Sequence, residues 1–532
     1  MFVANPSDKA ALLASWSKVL TEKKLDLLQK SKGWRFYEEI FSKIDESDFA
    51  ILYSKKQSAA NSPVNRLVGA FLWCHHRNWT HQELAYELSL NVEVRISLGL
   101  LDLEEEAFTM RTFYNFRNRL AAHYEQTGEN LLQKVFDKLT LSQLNRLGIN
   151  TTIQRVDSVL LNSSIQSYSR LSLLVEVLSR LYRILSEKDK VKYETILSSY
   201  KKGGEQYVYE VRGTEQEGKL AYLAPVYHKL YEELVSSYDQ EPVFQVFARV
   251  YEEHFKAATT SEDGAASLFK VELKSNEELS SGCLQSPDDL EATYRNKRKA
   301  SYKGYLGLGI ETCHPDNELN LVVEVDAASN NTDDAAFLVA NVDKVVAKTP
   351  AIEEMHQDGG FGSEQMDQKA AENGIALIQT AVKGRGLSVE FTIEGEAEEG
   401  YEVSCPNEKQ ASVKAQETKK NYKACFDTTP CMDCPFKEDC PAFKGRNAKG
   451  TQAVFRFSKQ DAARQKRNKA IQKIPPERKT LRSGVENLMG RMHRGEKHTG
   501  KLRIRGLFNC KLYVIAMGIV VNFERIFNYL YA

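Results

Sequence analysis

With 532 residues, the chain is too long for one ordinary hydrophobic core, and roughly two to four packed units are expected. Its hydrophobic fraction of 42% and charged fraction of 27% are those of a soluble globular protein. Because 72 basic residues balance 72 acidic ones, the net charge gives no indication of a nucleic-acid partner.

The first 150 residues are predicted to be mostly helical. Their start lacks the basic flank and the apolar stretch of a signal peptide, which predicts a cytoplasmic protein with reduced thiols. Residues 80–83 have the pattern of a capping box, and a second helix is predicted to begin at Thr112. In that helix apolar residues interleave with Arg111, Arg117 and Arg119, so one face can pack while the arginines remain available to phosphates. The pattern fits a helix-turn-helix-like DNA reader and, equally, a plain helical bundle with surface arginines.

The middle of the chain predicts a mixed α/β sheet that carries insertions. A strand-like run ends at Asp157, and the region 163–285 that follows is rich in helical periodicity, clearest at Arg170–Leu185 and looser at Tyr222–Tyr238. Strands and helices then alternate: strands at Tyr305–Thr312 and Leu319–Val325, a helix at Asp333–Val346, a short run into Asp358, a helix at Ser363–Asn373 and a strand at Ile375–Val382.

Five of the nine cysteines lie close together in the sequence. Three are spaced as Cys431-x2-Cys434-x5-Cys440, and Cys405 and Cys425 precede them. In a reducing compartment this density favours a structural Zn²⁺ site, because four thiolates close a tetrahedral shell. Cys405 is the preferred fourth ligand and Cys425 its competitor; a Cys-rich loop that binds nothing is the alternative.

The end of the chain is basic. Residues 441–532 contain 21 Lys and Arg against 5 Asp and Glu, which indicates a local polyanion-binding surface or, alternatively, a solvated charged face. Glu486 lies there in a helix-like stretch, with Arg482 one turn before it. The apolar run Leu512–Val521 is too short to span a bilayer and is predicted to be a buried helix, so no membrane partner is expected.

Three acids stand in contexts that suit metal-bound carboxylates. Asp157 follows a strand, Asp358 opens the turn 358–361 (Asp-Gly-Gly-Phe), and Glu486 lies on the predicted helix. If folding gathers them, they supply hard oxygen ligands for two Mg²⁺ ions, the arrangement that cuts and rejoins phosphodiesters.

Four short motifs then occur in a specific order: Asp157-Ser158 after a strand, the stretch 286–305 leading into the next strand, 356–364 (His-Gln-Asp-Gly-Gly-Phe-Gly-Ser-Glu), and Arg482-x3-Glu486-Asn487. In this order the chain resembles a DDE transposase of a bacterial insertion sequence, over nearly its whole length. The resemblance implies an α/β fold with a ribonuclease H-like mixed sheet, a helical insertion, an all-α N-terminal domain and a small Cys-rich insert. The implied parts are a DNA-binding or dimerisation domain (1–150), the core (151–162 and 286–390), the helical insertion (163–285), the Cys-rich insert (391–445) and a basic part with the catalytic Glu helix (446–532).

The resemblance also implies the roles of the three acids. Asp157, Asp358 and Glu486 fall where the family places its catalytic acids, on the first strand, at the end of the fourth and on a later helix. Asp326 is a rival for the second acid, but it would belong to the third strand, whereas Gly359 and Gly360 permit a tight turn after Asp358.

The family signature Tyr-x2-Arg-x3-Glu-x6-Lys around the last acid is incomplete. Arg482 and Glu486 fit it, but Lys479 and His493 stand at the Tyr and Lys positions. Spacing predicts that Arg482, Glu486 and His493 share one helical face. The implied DNA-binding residues are Arg482 on a phosphate, His493, Arg491 and Arg494 as replacements for the missing Lys, and Lys297, Arg298, Lys299 and Arg117 elsewhere.

The implied activity is Mg²⁺-dependent cleavage of the element's ends, followed by attack of the new 3′-hydroxyls on target DNA. Because two ends must be cut together, a dimer or larger assembly on double-stranded DNA is expected, in the cytoplasm at the nucleoid. The alternatives are a transposase-derived DNA-binding protein that has lost catalysis and a Zn-stabilised nuclease that cuts DNA without joining it.

Overall fold

The computed structural model describes residues 1–54, 60–258, 271–381, 389–397, 399–414, 421–443, 448–449, 452–496 and 499–531. Within these ranges the helices are α1 (Lys9–Trp16), α2 (Glu22–Gln29), α3 (Lys32–Glu39), α4 (Val64–Arg77), α5 (His81–Leu90), α6 (Val92–Ser97), α7 (Met110–Thr127), α8 (Leu131–Arg146), α9 (Arg170–Ile184), α10 (Glu187–Lys192), α11 (Glu194–Leu197), α12 (Gly204–Glu210), α13 (Gln216–Tyr238), α14 (Pro242–His254), α15 (Asp334–Lys348), α16 (Glu364–Glu372), α17 (Lys459–Lys473), α18 (Pro476–Leu481), α19 (Val485–Met492) and α20 (Leu507–Tyr531).

The strands are β1 (Ile153–Asn162), β2 (Phe255–Ala257), β3 (Val271–Leu273), β4 (Thr293–Lys297), β5 (Ala300–Thr312), β6 (Val322–Ser329), β7 (Glu354–Gln357), β8 (Ala376–Gln379), β9 (Thr392–Glu396), β10 (Gly400–Ser404), β11 (Gln410–Val413), β12 (Asn421–Asp427), β13 (Ala448–Lys449) and β14 (Gln452–Ser458). The predicted strand at 375–382 is thus present as β8, although residue 382 lies outside the described ranges.

The N-terminal region is helical, as predicted. The capping box at α5 is present, because the Thr80 side chain accepts from the Glu83 backbone while the Glu83 carboxylate accepts from the Thr80 backbone. The helix predicted to begin at Thr112 begins instead at Met110, since the Thr109 hydroxyl accepts from the Thr112 amide and caps it.

A six-stranded mixed sheet forms the centre of the protein. Its main order is β4-β5-β1-β7-β8, with β6 also paired to β5. β5 is antiparallel to β1 and to β6, whereas β1, β7 and β8 run parallel. This mixed α/β arrangement is consistent with the predicted ribonuclease H-like fold. One expectation was wrong: β1 does not end at Asp157 but continues to Asn162, because its pairing with β5 extends that far.

Helices cover both faces of the sheet. α15 and α16 pack on one face, and α8, α19 and α20 pack on the other together with the N-terminal helices. α20 has 25 residues and is longer than the predicted apolar run of ten. It is long and apolar enough to cross a membrane, but 78% of its most apolar 18-residue stretch is buried inside the protein. Gly518 brings it close to its neighbours, since a Cβ there would lie 2.9 Å from Phe136 and 3.2 Å from Val325.

Two further cores lie outside the sheet. The predicted helical insertion is present as α9–α14 with the β2–β3 hairpin, and it buries its own apolar cluster. The Cys-bearing unit consists of two small three-stranded sheets, β9–β11 and β12–β14, around an aromatic core. Its second sheet runs past residue 445, where the sequence placed the end of the insert, because β14 pairs with β12.

Candidate active site

Two neighbouring parallel strands place Asp157 and Asp358 side by side. The register pairs Arg155 of β1 with His356 of β7. Asp157 lies two residues further along β1, and Asp358 directly follows Gln357, the last residue of β7, so this strand pair brings both acids to one region of the sheet. Asp157 is buried, and its Oδ1 accepts a hydrogen bond of 2.8 Å from the Ser158 amide.

The predicted turn after β7 positions the second acid. The Gly360 amide donates to Asp358 Oδ1 at 2.7 Å, and the Phe361 amide donates to the Asp358 carbonyl at 3.3 Å. A Cβ at residue 360 would lie 3.0 Å from that carboxylate oxygen. A side chain here would crowd the carboxylate, and the predicted tight turn forms without a left-handed backbone at either glycine.

The third acid reaches the site on α19, which follows a 3₁₀ turn at Arg482–Gly484. Arg155 lies on β1 two residues before Asp157, on the same face, and its Nη1 donates to the Leu481 carbonyl at 2.7 Å. A side chain at residue 484 would overlap the Arg155 guanidinium. Sequence reasoning missed this anchoring residue, because its partner lies 326 residues away in the chain.

The apolar side of α19 packs on the sheet beneath the acids. Val485, Leu488, Met489 and Met492 are all buried in this contact. A Cβ at Gly309 of β5 would lie 2.7 Å from both the Leu488 and the Met489 side chains. The missing side chain at residue 309 lets the helix lie close to the strand, which brings Glu486 toward Asp157.

All three acids contact one guanidinium group. Arg482 Nη2 lies 2.5 Å from Asp157 Oδ2 and 3.9 Å from Asp358 Oδ2, and its Nη1 lies 3.5 Å from Glu486 Oε1. The Arg482 side chain is only 18% exposed, whereas that of Glu486 is 63% exposed. The structure therefore brings the three predicted acids together, with the fourth predicted residue at their centre.

Burial and mutual repulsion act on the most enclosed acid. Burial raises the pKa of Asp157 to about 6, and the charges of Asp358 and Glu486 add to this rise. The Arg482 guanidinium and the Ser158 amide oppose it. A cation beside these carboxylates therefore favours the ionised form of Asp157.

The rival second acid lies elsewhere. In the sheet, Asp326 pairs with Leu308, which in turn pairs with Ser158. Because neighbouring residues on a strand point to opposite faces, the Asp326 side chain projects from the face opposite that of Asp157. It is paired with Lys344 at 3.0 Å and Lys511 at 2.5 Å. These two ammonium groups lower its pKa although burial acts to raise it. Asp326 is therefore a structural ion-pair partner.

The three carboxylates fit a divalent metal by the chemistry of their donors, because hard oxygen ligands suit Mg²⁺. Over the ranges that the structure describes, no three His, Cys, Asp or Glu side chains stand close enough to share an ion as they are. At this site the Arg482 guanidinium lies among the three carboxylates, within 4 Å of each.

The predicted DNA-binding residues of the last segment are engaged with acids of their own. His493 lies in the 3₁₀ turn His493–Gly495, and its Nδ1 is 2.8 Å from a carboxylate oxygen of Glu496. Arg491 and Arg494 both pair with Glu524 of α20. The Arg494 side chain is half exposed, while that of Arg491 is mostly buried.

The remaining predicted DNA contacts differ in exposure. Arg117 is partly buried, and its Nη2 donates to Asn509 at 3.0 Å. Lys297, Arg298 and Lys299 form the exposed tip of the β4–β5 hairpin. Arg298 and Lys299 have φ values of 52° and 68°, the left-handed pair of a tight two-residue hairpin turn.

Four cysteines surround one cavity of about 30 Å³ in the Cys-bearing unit. They are Cys405, Cys431, Cys434 and Cys440, the four predicted ligands. Cys425 lies on the exposed face of β12 and does not line the cavity. Burial raises the pKa of the Cys431 thiol, and charges on the other three sulphurs raise it further, so the four are electrostatic neighbours.

Two family models match the chain. One, described as a transposase DDE domain, matches residues 404–527, which include Glu486, Arg482 and the four cysteines. The other, described as a transposase domain (DUF772), matches residues 24–119 in the helical N-terminal region. No curated protein and no solved structure matches the chain. Asp157 and Asp358 lie outside both matches, and their link to Glu486 rests on the geometry described above.

Proposed function

We propose that this chain, a DDE transposase with an N-terminal transposase domain, cuts the ends of a mobile DNA element and joins the released 3′-hydroxyls to target DNA. The observation that carries the proposal is the convergence of Asp157, Asp358 and Glu486 on a single cationic group. Three carboxylates from two adjacent strands and one helix supply the oxygen ligands that a two-metal site requires.

In this mechanism the protein holds the acids and positions the DNA. When bound, two Mg²⁺ ions lower the pKa of the attacking water or 3′-hydroxyl and stabilise the leaving 3′-oxygen. Asp157 and Asp358 supply ligands from the sheet, and Glu486 supplies one from α19. Arg482 lies within reach of the same space and would hold a phosphate there. In-line displacement of this kind needs no covalent protein–DNA intermediate.

The test uses the full-length protein and the DNA that flanks its gene. We expect Mg²⁺-dependent cleavage at short terminal repeats and transfer of the cut strand to a second duplex. Two ends must be cut together, so cleavage is expected from a dimer or larger complex on DNA, which sedimentation of the complex would measure. Cleavage without joining would instead identify a nuclease, and no cleavage with Mg²⁺ or Mn²⁺ would overturn the proposal.

A specific observation favours an alternative, a transposase-derived DNA-binding protein without catalysis. The family signature is incomplete, and His493, which stands at its Lys position, pairs with Glu496. This protein would bind the same ends but leave them intact. The cleavage assay therefore separates the two functions.

We also propose that the cysteine cavity holds a structural Zn²⁺ ion. Four thiolates around one cavity repel each other, and a divalent cation relieves that repulsion while closing a tetrahedral shell. Phe391 and Phe426 also line the cavity and would shield the ion from water. The sulphurs would need to move inward, since as they stand the described residues form no such metal group.

Replacing Cys434 with Ser tests the zinc proposal. Wild-type protein purified without chelators is expected to contain about one Zn²⁺ per chain, and the variant to contain much less and to melt at a lower temperature. Elemental mass spectrometry and thermal melting measure the two quantities. The matched control is Cys425→Ser, which should keep the metal. A wild-type protein without zinc, or equal loss from both variants, contradicts the assignment.

The hairpin tip offers a test of DNA binding that does not disturb the fold. Replacing Arg298 with Asn and Lys299 with Gly removes two charges, while Asn-Gly adopts the left-handed pair of φ values with less strain. We expect unchanged or higher thermal stability and weaker DNA binding, with the slope of log K against log salt reduced by about one to two. Fluorescence anisotropy over a salt series measures this slope.

The control for the hairpin variant removes the same charge elsewhere. Lys188→Gln with Lys219→Gln lies on exposed helices of the helical insertion and should leave the salt slope unchanged. If both double variants reduce the slope equally, the effect is one of net charge, and the hairpin does not contact phosphates.

A further inference from the structure

Arg482 occupies the place in which the proposed function requires metal ions. Its two terminal nitrogens lie 2.5 Å from Asp157, 3.9 Å from Asp358 and 3.5 Å from Glu486, so one cation serves three carboxylates. Its third nitrogen, Nε, is buried and has no hydrogen-bond partner among the residues that the structure describes. Within that part of the chain, the guanidinium is therefore held in this position by the acids.

The negative charges of the three acids explain why a cation lies among them when no metal is bound. Asp157 lies within β1, Asp358 directly follows β7 and Glu486 lies on α19, and the Asp157 side chain is buried. Like charges at this separation destabilise the ionised state, and a nearby opposite charge relieves them. The guanidinium of Arg482 supplies this opposite charge to all three carboxylates.

Size explains why the same group excludes metals. A guanidinium is planar and broad, whereas Mg²⁺ binds its oxygens at about 2.1 Å in an octahedral shell. With Arg482 among them, the three acids do not form a group that could hold a metal ion. The two kinds of cation therefore compete for one space.

We propose that Arg482 is the internal counter-ion of the metal-free site and that it leaves its place between the acids when divalent ions bind. The inference rests on the proposed function. The turn Arg482–Gly484 stays anchored, because Arg155 holds the Leu481 carbonyl independently of the acids. The Arg482 side chain can therefore swing out while Glu486 keeps its position. A displaced guanidinium beside the metals is then free to hold a DNA phosphate, so metal binding and phosphate capture are coupled through one residue.

The test compares metal binding and stability of Arg482→Gln with those of the wild type. Without metal, the variant is expected to melt at a lower temperature, because three carboxylates lose their counter-ion. Its affinity for Mn²⁺ and Mg²⁺, measured by calorimetric titration, is expected to rise about tenfold, since a unit charge a few Å away no longer opposes the metals. Added metal should raise its melting temperature by more than that of the wild type.

Two controls separate this role from a general structural one. Arg482→Lys keeps the charge and should retain wild-type metal affinity. Arg478→Gln removes an arginine four residues earlier that pairs with Glu354, outside the three acids, and should not change metal affinity even if stability falls. Unchanged or weaker metal binding by Arg482→Gln overturns the inference, because Arg482 would then be indifferent to the metals or would help to arrange their ligands. If the wild type binds no divalent ion at all, the proposed function itself fails.

Discussion

Replacing Asp157 or Asp358 with Asn is expected to reduce Mg²⁺-dependent DNA cleavage about a thousandfold, which corresponds to about 4 kcal/mol of lost transition-state stabilisation. Asparagine has nearly the same shape but cannot carry the negative charge that a metal ligand supplies. Asp157 and Asp358 share one guanidinium, that of Arg482, and their carboxylates repel each other. Loss of one negative charge lowers this repulsion, so the folded state should not be destabilised. Cleavage rates and melting temperatures of the purified variants measure the two effects.

The control is Asp326→Asn, which removes the rival acid. Asp326 lies between Lys344 and Lys511 and starts on the opposite face of the sheet, so this variant should lose some stability but keep cleavage within a few-fold of the wild type. An inactive Asp326→Asn protein alongside an active Asp358→Asn protein would reverse the assignment of the second acid.

The second large effect is expected from Glu311→Gln. Glu311 is fully buried and pairs with Arg155 at 2.6 Å and Arg525 at 2.7 Å, which joins β1 to α20. Removing one partner leaves buried guanidinium charges uncompensated, which costs about 3–5 kcal/mol. Denaturant unfolding should show this loss. Cleavage should fall as well, because Arg155 also anchors the segment that carries Arg482 and Glu486.

Two comparisons show whether the buried ion pairs themselves are responsible. Glu318→Gln changes an exposed glutamate between β5 and β6 and should lower the free energy of unfolding only slightly. Combining Glu311→Leu with Arg155→Met and Arg525→Met replaces the whole network by apolar groups and should recover much of the stability. Recovery of stability without recovery of cleavage would separate the anchoring role of Arg155 from its part in the core.

The local signals in the sequence were sufficient for the elements that position two of the acids. Asp157 follows a strand pattern, and the pair of glycines after Asp358 marks a turn; both elements are present. The capping box at Thr80 predicted a helix start correctly because all its bonds are between near neighbours. Such features depend on short stretches of chain, which is why they can be read without knowing the fold.

The features that complete the site depend on contacts between distant residues. Arg155 and Leu481 are 326 residues apart, and no local pattern links them. The same holds for Arg482, whose position between the acids follows from how α19 packs on Gly309. The sequence left Cys425 as a competitor of Cys405, the preferred fourth ligand, and the structure distinguishes them because Cys425 lies on the exposed face of β12 while Cys405 lines the cavity. The sequence could therefore suggest residues whose positions depend on tertiary packing, but it could not locate them.

The buried helix α20 couples the folding of the two halves of the chain. It packs between α8 and the sheet and shares one apolar cluster with the N-terminal helices. During synthesis at about 5–20 residues per second, the ribosome reaches α20 roughly 20–70 s after it has completed α8. For that interval the N-terminal helices lack the surface that covers them. A nascent or truncated chain therefore exposes apolar surface to chaperones and proteases, and a complete N-terminal region forms only together with the catalytic core.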